Sequence, residues 1–152
     1  MAQINEADLI ITPKGNIYHL DIAPENLAKT IITVGDPGRV GEVSKHFDKV
    51  TFQANHREFI THSGYIGNKF LSVISTGIGP DNIDIVFNEL DALVNIDFAT
   101  RTIKDKKTQL NIIRLGTCGA LQTDIPLDSI VVSSHGLGLV NLMHYYRQNT
   151  ND

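Results

Sequence analysis

The stretch "TIITVGDPGRVGEV", residues 30–43, holds the turn on which the fold depends. The β-branched run 30–34 reads as a strand buried on both faces. It stops at Gly35-Asp36-Pro37-Gly38, where Asp36 is placed to cap a helix and Pro37 to open it. Val40, Val43 and Phe47 then recur on one side, the spacing of a helix lying against a sheet. A strand, a glycine turn and a helix in this order begin an α/β layer structure.

Working outward, further strands are expected at 16–20 ("NIYHL"), 49–54, 59–66, 69–75, 111–116 and 129–134. A second helix is expected from about Pro80 to Asn95, where Ile83, Val86, Phe87, Leu90, Leu93 and Val94 make a wide apolar stripe. "NIIRL" (111–115) reads, like "TIITV", as a strand buried on both faces. The strands between 49 and 75 read as an antiparallel meander turning at "GNK", so the sheet is expected to be mixed. The basic-rich segment 100–109 reads as a solvated loop, since no aromatic residue stands near it to stack a base. The polar tail "RQNTND" reads as frayed.

The 152 residues, 41% hydrophobic and 20% charged, are those of an ordinary globular chain with one domain's worth of core. A net charge of −4 argues against general nucleic-acid binding, which needs clustered Lys and Arg. Cys118 stands alone, so no disulfide forms within the chain. No apolar run reaches the roughly 20 residues that cross a bilayer, and "MAQINEADLIIT" lacks the pattern of a secretory signal. The expectation is a cytoplasmic protein without membrane or nucleic-acid partners.

Arg39 raises the question of chemistry. A strand ending in Gly35 and entering a helix offers free backbone N–H groups to an anion, phosphate above all. Arg39 could place its planar fork over the same point. "IIRLGTCGAL" (112–121) brings Arg114, Gly116, Thr117 and Gly119 to the end of a second strand. Ligands of open α/β sheets gather at that edge. Arg114 needs a partner, and a carboxylate or a bound phosphate would serve. In "STGIGPDNIDIVFNEL" (75–90) the second helix starts at the same edge, with Asp81 and Asp84 placed to cap it. His56, His62, His135 and His144 show no metal-ligand spacing and read as structural or exposed. Cys118 has no base beside it in sequence and does not read as a nucleophile.

Together "VGDPGRV", "NHREF", "STGIGPDNIDIVFNEL" and "IIRLGTCGALQTDIPLDSIVV" resemble the nucleoside phosphorylases, and "HREF" is most similar to their uridine phosphorylase branch. The resemblance starts at "IYHL" and runs in order to about residue 144. It implies a three-layer αβα sandwich around a mixed, partly barrel-like sheet, with residues 1–152 forming the N-terminal portion of a single domain. It also implies homodimers, or hexamers built from dimers, with shared active sites.

By position, Gly35, Arg39, Arg57, Arg114 and Thr117 would bind phosphate, with Arg39, Arg114 and Thr117 the catalytic set. Arg57 would enter from the neighbouring subunit. Thr117 would also reach the ribose, and His19 would cross the interface to its 5′-hydroxyl. Glu58 and Ile78 match positions that hold a monovalent cation, potassium, between subunits in some relatives, while Asn82 stands where a serine is usual. The reaction implied is phosphorolysis of uridine, with inorganic phosphate as co-substrate and no organic cofactor. A purine nucleoside phosphorylase, a nucleosidase and a non-catalytic oligomerising domain are the alternatives. The segments that would grip uracil and the ribose hydroxyls are not among these residues.

Overall fold

Thr30–Val34 forms β1 and lies inside a five-stranded sheet of the computed structural model, which describes residues 3–147. The other strands are β2 (Lys49–His56), β3 (Phe59–Ile66), β4 (Lys69–Ser75) and, after a two-residue hairpin pair β5 (Ile96–Asp97) and β6 (Thr102–Ile103), β7 (Asn111–Leu115). The order is β2-β3-β4-β1-β7. β2, β3 and β4 form the expected antiparallel meander, whereas β1 runs parallel to both β4 and β7. The sheet is therefore mixed, and the chain divides at Leu115/Gly116 into two units.

Alternation along β1 and β4 separates two layers of core. Ile31 and Ile74 point to the face covered by α2 (Pro80–Asn95) and the N-terminal segment, among Leu9, Ile17, Leu20, Phe59, Val86, Leu90 and Leu93. Val34 and Val73 point to the other face, where Val40 of α1 (Gly38–Ser44) and Phe47 cover them. The first unit thus has helices on both faces of the sheet, the α/β layering that the sequence pattern implies.

Several elements depart from the sequence reading. Residues 16–20 are not a strand: a single bridge joins Ile11 to Ile17, and side chains rather than a ladder then hold the backbone. "NIIRL" is a strand but lies at the sheet edge, paired to β1 alone, with Ile113 52% and Leu115 46% exposed. α1 ends at Ser44, so Phe47 reaches the core from the turn that follows. α2 has the expected bounds, yet Phe87 of its stripe is exposed. In the second unit, 129–134 forms no ladder, and its regular structure among the described residues is a 3-10 turn at Asn141–Tyr145. Most of the tail, 148–152, lies outside the described residues.

The segment 100–109 is more than a solvated loop. Arg101 donates to the carbonyls of Ile4, Asn5 and Leu9, and Asn95 exchanges hydrogen bonds with the backbone of Thr108. Its arginine ties the N-terminal segment to the hairpin.

α1 is joined to the sheet by a polar contact, a 2.7 Å hydrogen bond between Ser44 Oγ and His62 Nδ1. Partial burial holds His62 below the ordinary histidine value, because desolvation disfavours the imidazolium. The unfolded chain therefore takes up the proton first on acidification. Stability is full above about pH 6.5 and falls as pH drops from there through the folded value. Thermal melts at pH 7.5 and 5.5 should show this loss, and His62→Gln should lose less on the same acidification than the parent.

Candidate functional site

The parallel strands β1, β4 and β7 end together, and Gly35, Thr76 and Arg114 lie at those ends. Thr76 continues β4 by donating from its backbone N–H to the Val34 carbonyl at 2.8 Å. Gly35 follows β1, and a Cβ placed on it would stand 3.4 Å from Arg114 Nη2 and 3.8 Å from the Gly77 carbonyl. Glycine here leaves room for the guanidinium to lie against the backbone. Arg114 itself donates to the Leu115 carbonyl at 3.0 Å and has no carboxylate partner among the described residues.

Arg39 is half-buried near the start of α1, and its guanidinium makes no ion pair among the described residues. The helix end beside it is not the open anion site that the sequence suggests. Pro37 has no N–H, Gly38 N–H donates to Asp36 Oδ1 at 2.9 Å, and Arg39 N–H donates to the Asp36 carbonyl. The helix therefore starts one residue later than expected, with Pro37 rather than Asp36 at the cap position, and Asp36 takes up the first N–H groups of the turn from outside it. At α2, Gly79 occupies the cap position, while the Asp84 carboxylate accepts from the Asn88 amide.

A second group forms around the turn from β2 to β3. Arg57 takes a left-handed φ of 57° there, and its guanidinium stands 5.9 Å from the centre of the Tyr18 ring. Tyr18 also meets His19 and His56 edge-on, and His56 Nδ1 donates to the His19 carbonyl at 3.1 Å. Arg57 and His19, far apart in sequence, are thereby held on the same side chain. Glu58 turns the other way: a Cβ on Gly77 would meet its Cγ at 3.1 Å and Asn82 Nδ2 at 2.5 Å. Ile78, beside them, is 93% exposed.

Of the residues singled out from sequence, then, Gly35 and Arg114 meet at one corner, His19 and Arg57 at another, and Glu58 lies, like Asn82, against Gly77. Thr117 and Cys118 belong to the second unit, where both are exposed. No group of three metal-ligating side chains occurs among the described residues.

Residues 29–150 match the phosphorylase superfamily, and this span is most of the chain. The chain belongs to the phosphorylase superfamily. Among relatives of this superfamily member is the uridine phosphorylase of Thermococcus kodakarensis, 30% identical over 89% of the chain and 44% of the relative. A DeoD-type purine nucleoside phosphorylase of Thermoanaerobacter is 32% identical over 76% of the chain and 44% of the relative. The solved Trypanosoma brucei nucleoside phosphorylase, described as showing uridine phosphorylase activity, superposes with a TM-score of 0.86 at 35% identity. That match takes in 95% of the chain and 50% of the trypanosome protein. The chain spans about half the length of the relatives it matches.

Sequence reasoning missed one residue of this phosphorylase-superfamily chain. Glu89 of α2 accepts from the backbone N–H of both His19 and Leu20 and from the His19 ring. Its signal was present: Val86, Glu89 and Leu93 recur at i, i+3 and i+7, which puts a carboxylate inside the apolar stripe.

Proposed function

We propose that this chain is the N-terminal portion of a uridine-phosphorylase-like pentosyltransferase, converting uridine and phosphate to uracil and ribose 1-phosphate in the cytoplasm, and that it carries most of the phosphate site. The observation that supports this best is Arg114, free of any carboxylate among the described residues and lying against Gly35 at the strand ends. Arg39 and Arg57 likewise have no carboxylate partner there. Arginines left unneutralised by the protein are available to an anionic ligand.

On this reading Arg39 and Arg114, with Gly35, orient the phosphate that attacks the anomeric carbon as the base departs. Its negative charge stabilises the cationic sugar of the transition state. Arg57 and His19 both contact Tyr18, and on this reading they reach jointly into a neighbouring subunit's site. The active assembly on this reading is a homodimer or a hexamer built from dimers. Glu58 supplies oxygen donors suited to potassium beside Ile78 at that interface, although the nearest Asn82 atom to Gly77 is its amide nitrogen. A purine nucleoside phosphorylase is the second reading, favoured by the Thermoanaerobacter relative. Assaying uridine against inosine separates the two.

Calorimetric titration of inorganic phosphate into the chain tests the site directly. Arg39→Ala and Arg114→Ala should each weaken binding by roughly ten- to a hundredfold, the worth of one charge-assisted hydrogen bond. A parent chain that takes up no phosphate, or variants that bind as the parent does, would overturn the assignment.

A further inference from the structure

The His19 segment is fixed more firmly than an irregular stretch requires. The Glu89 carboxylate receives His19 N–H at 2.9 Å and Leu20 N–H at 2.8 Å, and its Oε1 lies 2.7 Å from His19 Nδ1. A carboxylate already accepting two backbone N–H groups is an acceptor throughout, so the ring proton must sit on Nδ1. His56 fastens the same segment through the His19 carbonyl, and Tyr18 and Phe59 pack edge-on against the ring. The His19 side chain nevertheless stays 27% exposed, against 12% for Glu89. A cleft of about 450 Å³, lined by Ile17, Ile85, His19 and Glu89 among others, opens alongside.

We propose that Glu89 is a positioning residue. It locks the tautomer and direction of His19 so that Nε2 is presented as an acceptor to a sugar hydroxyl. This rests on the phosphorolysis reading for the identity of the sugar, whereas the lock itself rests on the hydrogen bonds above. Carboxylates behind histidines act in this way wherever one ring nitrogen must face a ligand with a defined proton inventory.

Long-range 1H–15N spectra of the ¹⁵N-histidine-labelled chain, with His19 assigned through His19→Gln, read the tautomer whether or not the chain turns substrate over. The parent should show the proton on Nδ1, and Glu89→Gln should show a mixture, because its amide nitrogen cannot accept from Leu20. The ligand half is read with ribose 1-phosphate and 5-deoxyribose 1-phosphate, which need no base site. The parent should prefer the former by roughly fivefold, one neutral hydrogen bond, and Glu89→Gln should lose that preference while keeping its affinity for inorganic phosphate. A proton on Nε2 in the parent, or a preference that survives Glu89→Gln, overturns the proposal. Phosphate binding without discrimination between the two sugars does so too and leaves the phosphate reading standing. A chain that shows the Nδ1 tautomer but binds neither phosphate nor sugar overturns the phosphate reading, and the sugar contact with it.

Discussion

Gly64→Ala is expected to leave little folded protein. A Cβ at this position would stand 2.2 Å from the Lys49 carbonyl oxygen, 2.8 Å from Phe47 Cδ2 and 3.0 Å from Val50 Cα. Two of these neighbours are backbone, which no rotamer change can move aside. The crowding has a local cause, for the β2–β3 register shifts between Val50 and Phe52, opposite Gly64 and Ser63. An extra residue in one strand bends it and increases its twist. Here the bend brings β2 over Gly64. Overpacking in a core costs about 1–3 kcal/mol where side chains can yield. Against backbone the cost is at the top of that range or above it, a large part of the roughly 5–15 kcal/mol that a domain has. Circular dichroism and urea unfolding would show it, and a Gly64→Ala chain with the parent's midpoint would mean that the bulge is absent in solution.

Phe59→Ala is expected to be almost as damaging, for the opposite reason. Phe59 is the largest of the fully buried side chains and sits between β3 and the α2 layer of the core. Removing it leaves a cavity that the surrounding strands can close only in part, at about 3–5 kcal/mol. Its ring also stands 6.5 Å from the centre of the His19 ring, edge-on. The same substitution should therefore loosen His19 in any fraction that remains folded. Phe59→Leu, which fills most of the space, should unfold in urea much closer to the parent. Equal midpoints for Phe59→Ala and the parent would contradict the packing described.

Most of the fold was legible because its signals are local. The β-branched run 30–34, the meander and the apolar stripe of α2 each carry their period within one element, and all three have the expected bounds or nearly so. What misled was context. "NIIRL" and "TIITV" are alike in composition, yet one is inside the sheet and the other at its edge, since nothing in five residues says how many neighbours a strand has. Residues 16–20 have the composition of a strand, but His19 and Leu20 take their hydrogen bonds from Glu89 and His56, which come from 37 or more positions away. At the site, Gly35 and Arg114 could be paired from sequence because each ends a strand of the same kind. Glu89 could not be matched to His19 in that way, for the link between them is a side chain meeting a backbone.

The place of β1 has a further consequence, in time rather than space. Thr30 leaves the ribosome before its partners, Leu71 in β4 and Asn111 in β7, so the strand must wait unpaired while the meander is made. Closing the chain over such separations costs entropy before any contact rewards it, and pairs of this kind form late. The contact between Gly35 and Arg114 depends on the most distant of these pairings. Pulse-labelled hydrogen exchange should find the amides of β2 and β3 protected before those of β7. The corner where Gly35 meets Arg114 would then be the last part of the first unit to exist, and its appearance would mark the end of folding.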